Sequence, residues 1–138
     1  MSPSAELAYL DASALVKLVI EEEETPALTA YLESRPLRVS SIVAEVEVYR
    51  AARREDPGSA SQAANVLELV NLIDLDRTIL DLARTIDPPL LRTLDAIHVA
   101  SALSLGTDLG DFVTYDERQR EAADASGLTF VGPGAARI

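Results

Sequence analysis

Four acidic side chains stand where chemistry is most easily built. Asp11 closes the apolar run LAYLD (7–11), and Asp116 lies two residues past Thr114, at the end of FVT (112–114). Asp95 opens an alanine-rich stretch just after the Pro88-Pro89 loop, and Glu45 sits about one turn into the segment that follows LRVS (37–40). Held together, such groups resist one another: two carboxylates about 4 Å apart repel by ~4 kcal/mol at an effective dielectric near 20. A converging set must raise a pKa or recruit a cation. Oxygen ligands with no cysteine or histidine cluster suit a hard ion, Mg²⁺ or Mn²⁺, rather than zinc. Such an ion neutralises a phosphodiester, acidifies a water and stabilises charge on the attacking and leaving oxygens. The plainer alternative is that Asp11, Asp95 and Asp116 each merely cap a helix, as aspartate favours, with Glu45 a solvated helix residue. Caps do not need aspartate, however, since Ser, Thr and Asn serve as well.

The surrounding elements decide whether these acids can meet. Leu7–Asp11 reads as a buried strand, Ala12–Ile20 as a helix, Thr25–Ser34 as a second helix with Thr25 as cap and Pro26 in its first turn, and Leu37–Ser40 as a strand. Over Ser41–Arg54, Ile42, Val46 and Tyr49 recur at i, i+4 and i+7, a helical stripe. Asp56-Pro57-Gly58 interrupts before a helix over Ala60–Asn71. A third strand is expected at Leu72–Leu75, helices at Arg77–Ile86 and Leu94–Leu105, a strand at Phe112–Thr114, a helix at Glu117–Ala125 and a last strand at Thr129–Val131. Strands alternating with helices predict an α/β fold: a central, mainly parallel, twisted sheet of about five strands with helices on both faces and right-handed crossovers. Ligands bind beyond the carboxyl ends of such strands, which is where all four acids fall.

Composition narrows the classes. With 138 residues, the chain suits one domain over 1–138, its core built from Leu, Val, Ile and Ala because aromatics make up only 4%. The absence of cysteine excludes disulfides, thiolate metal sites and a cysteine nucleophile. No apolar run is long enough to span a membrane, and Met1–Glu6 does not read as a secretory signal, so a cytoplasmic location is expected. The net charge of −11 runs against the basic character usual in nucleic-acid binders. Segregated cations, bound divalent ions or a basic protein partner would reconcile it.

The stretches YLDASALVKL (9–18), SSIVAEVEVYRA (40–51), TLDAIHVASAL (93–103) and FVTYDERQREAA (112–123), with GLTFVGPG (127–134) closing, resemble PIN-domain proteins and most of all VapC-type toxins of toxin–antitoxin modules. The resemblance spans nearly the whole chain. It implies a PIN-like fold and a Mg²⁺- or Mn²⁺-dependent endoribonuclease that leaves a 5′-phosphate and a 3′-hydroxyl. Asp11, Glu45, Asp95 and Asp116 match the family's acidic quartet. Asp11, Asp95 and Asp116 would be the metal ligands, and Glu45 would position or deprotonate the water. Ser13 and Thr114 would support them through hydroxyl hydrogen bonds. Glu47 is a rival to Glu45 but is expected to point elsewhere on its helix. The resemblance also implies an RNA substrate, a homodimer and an antitoxin encoded by an adjacent gene, whose basic tail would block the pocket.

Other features have quieter readings. His98, the single histidine, is expected to be a hydrogen-bonded structural residue rather than a base. Glu21–Glu24 reads as a solvated face favouring the positive end of the next helix. Arg50, Arg53 and Arg54 form a basic patch that would contact RNA phosphates or simply lie exposed, and Lys17 follows Asp11 near enough to approach a phosphate. A phospho-acceptor signalling domain would want a paired acid by the first strand and a late lysine, whereas Lys17 is the chain's last. An aspartyl phosphatase would want Asp-x-Asp where Asp11-Ala12-Ser13 stands, and no Gly-rich loop ending in Gly-Lys supports P-loop hydrolysis. A catalytically degenerate PIN fold that only binds partners is the remaining alternative.

Overall fold

The computed structural model describes residues 5–135. Its strands are β1 (Leu7–Leu10), β2 (Arg38–Ser41), β3 (Asn71–Ile73), β4 (Leu109–Val113) and β5 (Phe130–Val131). The helices are α1 (Ala12–Val19), α2 (Thr25–Glu33), α3 (Val43–Glu55), α4 (Ala60–Glu68), α5 (Arg77–Ala83), α6 (Thr93–Leu103) and α7 (Glu117–Ala125). The strands form one sheet in the order β3-β2-β1-β4-β5, every pair parallel. The expected α/β architecture is therefore the observed one.

Alternation along β1 divides the core. Ala8 and Leu10 face α1 to α4 and pack with Leu15, Leu28, Val48 and Val66. Tyr9 faces the other way, onto Val99 and Ala102 of α6 and Ala122 and Ala123 of α7. A strand covered on both faces reads as a continuous apolar run, and β1, the middle strand, is LAYL. No helix among the described residues is long and apolar enough to cross a membrane.

Two departures from the sequence reading have clear causes. Strand β4 starts at Leu109, three residues before the expected Phe112, because Gly110 belongs to the strand rather than to a turn. A Cβ there would stand 2.3 Å from the Ala5 carbonyl oxygen, so the backbones approach as only glycine permits. In α3 the buried stripe is Ala44, Val48 and Ala52, whereas Val46 is 62% exposed. The larger side chains Ile42, Val46 and Tyr49 suggested a different face. Close approach of α3 to its neighbours is instead made by alanines, which leave room for α1 and α4.

The order of strands places the site. β1 lies between β2 and β4, and the chain leaves β1 towards one side of the sheet and reaches β4 on the other. The crevice outside the carboxyl ends of β1 and β4 is this fold's natural ligand position.

Candidate active site

Asp11 is the first residue beyond β1 and the N-cap of α1: its Oδ1 accepts the Ala14 N–H at 3.1 Å and the Ser13 hydroxyl at 2.6 Å. The Thr114 hydroxyl, arriving from the end of β4, donates to Oδ2 at 2.6 Å. Ser13 Oγ also accepts the Tyr115 N–H at 2.9 Å, and Thr114 Oγ1 accepts the Asp116 N–H at 3.1 Å. The ends of β1 and β4 are thus stitched together by two hydroxyls around one carboxylate. Asp11 is 3% exposed. Burial pushes its carboxyl above the usual aspartate range, against the opposing influence of these hydrogen bonds.

Asp95 lies in the first turn of α6, two residues after its start, and caps nothing: the N-cap position is Arg92, without a side-chain bond. Its carboxyl too is raised, by partial burial first and then by the charges of Asp116 and Asp11, with Arg92 opposing. Asp116 caps α7 through the Arg118 N–H at 2.9 Å. Asp11, Asp95 and Asp116 line one cavity of about 360 Å³ together with Ser13 and Glu47. The repulsion felt at Asp95 separates this group from three independent caps.

Glu45 does not join them. It is exposed and absent from the cavity's lining, whereas Glu47 is part of that lining. With about 100° of turn per residue, a buried stripe of Ala44, Val48 and Ala52 puts Val43, Glu47, Arg50 and Arg54 on the flank towards the cleft and Glu45 on the opposite flank. The expectation for Glu45 is corrected accordingly, and Glu47 is the acid that α3 supplies. Spacing held the signal: Glu47, Arg50 and Arg54 share one helical face (i, i+3, i+7), which the large apolar residues obscured.

A wider hollow of about 890 Å³ adjoins the cavity and shares Ser13, Glu47, Leu94 and Asp116 with it; Val16, Val43 and Val46 make its floor apolar, and Arg50 and Arg54 stand in its wall. Arg50, Arg53 and Arg54 also surround a smaller depression, and none of them makes an ion pair among the described residues. Lys17 lines the same hollow, where its ammonium is engaged by glutamates. Its Nζ lies 3.0 Å from Glu24, 3.3 Å from Glu22 and 4.9 Å from the centre of the Tyr115 ring. Burial alone would lower its pKa, but the two glutamates outweigh this and raise it.

The donor set is carboxylate and hydroxyl oxygen, which fits a hard divalent cation. Among the described residues no three acidic or imidazole side chains form a closed ligand group as they are placed. Mg²⁺ does not demand one, since it usually keeps several waters and takes one or two carboxylates plus substrate phosphate. The crowding that raises the Asp95 carboxyl is what a dication would relieve.

Comparison with known proteins bears on this site. The PIN domain family model matches residues 8–125. Ribonuclease VapC46 of Mycobacterium tuberculosis is 45% identical over 91% of this chain and 96% of its own length. Ribonuclease VapC35 of the same organism is 42% identical, over 94% and 98%. Among solved structures, the M. tuberculosis sarcin–ricin loop cleaving toxin VapC20 superposes with a TM-score of 0.72 at 16% identity, over 91% of this chain and 99% of that one. A toxin–antitoxin complex from Klebsiella pneumoniae gives 0.71 at 20%, over 95% and 99%. At these identities the two structures speak to the fold.

Proposed function

This chain belongs to the PIN-domain family, and from that premise we propose that it is a divalent-cation-dependent endoribonuclease of the VapC type, the toxin of a toxin–antitoxin pair. One observation carries the reading: Asp11, Asp95 and Asp116 share a cavity at the carboxyl ends of β1 and β4, where burial and then the charges of Asp116 and Asp11 raise the Asp95 carboxyl. A helix-capping role does not account for that convergence.

In this reading Asp11, Asp95 and Asp116 would hold Mg²⁺ or Mn²⁺. Bound there, the cation would neutralise the scissile phosphate and favour ionisation of the attacking water. Ser13, Thr114 and the Ala14 N–H keep the Asp11 carboxylate in a fixed orientation, so little rearrangement is needed when RNA arrives. Glu47 orients the attacking water and accepts its proton. The water oxygen bonds to phosphorus as the bond to the 3′ oxygen breaks, and that oxygen takes a proton from solvent, giving a 5′-phosphate and a 3′-hydroxyl. Arg50 and Arg54 hold phosphates that flank the scissile one, and Arg53 a more distant one. On a chain of net charge −11, unpaired arginines beside the acids supply the local attraction that the whole surface does not.

The partner that silences this site is proposed to be an antitoxin encoded next door, with a basic segment whose arginine or lysine competes with the cation for the carboxylates. Residues 1–138 acting as one domain, a homodimer and a cytoplasmic location complete the proposal. The test is cleavage of structured RNA by the purified chain. Mg²⁺ or Mn²⁺ should support cleavage, EDTA should stop it, and Asp95→Asn should lose at least a hundredfold while remaining folded. Cleavage that survives both EDTA and Asp95→Asn would overturn the reading.

A further inference from the structure

His98 is 1% exposed, and both of its ring nitrogens are engaged by residues far away in sequence. Nδ1 lies 2.7 Å from the Tyr9 hydroxyl, and Nε2 lies 2.6 Å from Glu47 Oε1. The phenol that begins this chain is itself held: its ring is stacked on Phe112 at 5.4 Å and meets the His98 ring edge-on at 5.8 Å. A line of contacts therefore runs from the middle of β1, through α6, to the α3 carboxylate at the lip of the cleft.

Chemistry assigns the protons along it. Tyr9 is fully buried with its hydroxyl against Nδ1, and a phenol so placed has an O–H to donate. An ionised Glu47 only accepts. A neutral imidazole with its proton on Nε2, receiving at Nδ1 and donating to Glu47, satisfies both ends. We propose that Tyr9 and His98 are positioning residues for this site, Tyr9 fixing the orientation and tautomer of His98 and His98 holding Glu47 to the cleft through one carboxylate oxygen. The proposal rests on the reading of the acidic cavity as the working site. It goes beyond that reading by giving the buried tyrosine and histidine a task that neither the core nor the quartet requires. Outer partners that orient a working group in this way commonly matter by about 10–100-fold.

The chain has one histidine, so a long-range ¹H–¹⁵N spectrum reports His98 alone. The expected spectrum is that of a neutral ring protonated at Nε2, changed in Tyr9→Phe towards a mixture of tautomers. In RNA cleavage, His98→Leu should lower kcat about 10–100-fold with little change in KM, Tyr9→Phe should lower it less, and His98→Gln, whose amide still has an N–H for Glu47, should recover part of the loss. Adding His98→Leu to Glu47→Gln should cost nothing further, because the pair acts as one unit. A charged ring, a ring protonated at Nδ1, a spectrum indifferent to Tyr9→Phe, or multiplying losses in the double variant would each overturn the proposal. If His98→Leu fails to fold, Tyr9→Phe and the spectrum still decide it. Asp95→Asn run alongside separates the two ideas: undiminished cleavage in that variant defeats the acidic-cavity reading, whereas the spectrum decides the tyrosine–histidine–glutamate chain by itself.

Discussion

Two strand-to-helix junctions of this molecule are built from the same local grammar and differ in everything that matters for chemistry. After β1, Asp11 caps α1 by accepting the N–H three residues on; before α5, Asp76 does the same, from Ile79 at 2.8 Å. In sequence each is an aspartate that follows a short strand and precedes a helix. Yet β1 is the central strand and β3 an edge strand. Asp11 is buried, its second oxygen bound by Thr114 from the neighbouring strand and its carboxyl pushed up, whereas Asp76 is exposed. Capping is a local property. A site is a property of which strands lie side by side.

The sharpest way to break this contrast is to change both aspartates alike. Asparagine caps about as well as aspartate, so Asp11→Asn and Asp76→Asn should both fold. At position 11 the Thr114 hydroxyl can turn to accept where it now donates. RNA cleavage should fall at least a hundredfold in Asp11→Asn and stay within about twofold of the parent in Asp76→Asn. Equal losses, measured as kcat/KM on one RNA, would show that the burial of Asp11 has no catalytic meaning.

How far this contrast was legible beforehand follows from the same logic. The LDAS and T-x-D segments are short and local, so Asp11, Ser13, Thr114 and Asp116 could be found by pattern, and strand-helix alternation gave the parallel sheet. The phase of α3 could not be read in that way. Its core face is Ala44, Val48 and Ala52, and alanine contributes too little apolar area to outvote Ile42, Val46 and Tyr49. The match of AEV (44–46) to the family's pattern, together with that phase, points to Glu45 in place of Glu47. Nothing local places Gly110 in β4, because the close approach of the Ala5 carbonyl is a tertiary contact. The Tyr9–His98 contact spans 89 positions and depends on how α6 seats on the sheet.

A second, smaller effect concerns cations. Binding to the native state alone stabilises by RT ln(1 + [L]/Kd), about 1.4 kcal/mol at a tenfold excess over Kd, which for a chain of this length raises Tm by roughly 3–6 °C. The parent and Asp76→Asn should show that rise with Mn²⁺ or Mg²⁺, measured by calorimetry against EDTA. A double variant, Asp95→Asn with Asp116→Asn, should not. A rise of equal size in the double variant would place the cation elsewhere on this acidic surface.

The smallest effect is the pH dependence of stability without divalent ions, and its sign distinguishes the two junctions. The folded protein raises the carboxyls of Asp11 and Asp95, so over this range it binds protons more tightly at those positions than the unfolded chain does. The stabilisation they contribute is complete below the ordinary aspartate value of about 3.9. It is lost as pH climbs through the raised folded values. Asp95 should show the effect in part through Asp116 and Asp11, which face it with like charge, while Arg92 opposes. Urea midpoints taken in EDTA from pH 4 upwards should therefore decline less steeply for Asp11→Asn and Asp95→Asn than for the parent, and Asp76→Asn should follow the parent. The comparison is between slopes, so the common titration of the many surface carboxylates cancels. If the slope at Asp11→Asn matched the parent, the buried carboxylate would be relieved within the fold by its three hydrogen bonds. Its junction would then differ from that of Asp76 in position alone.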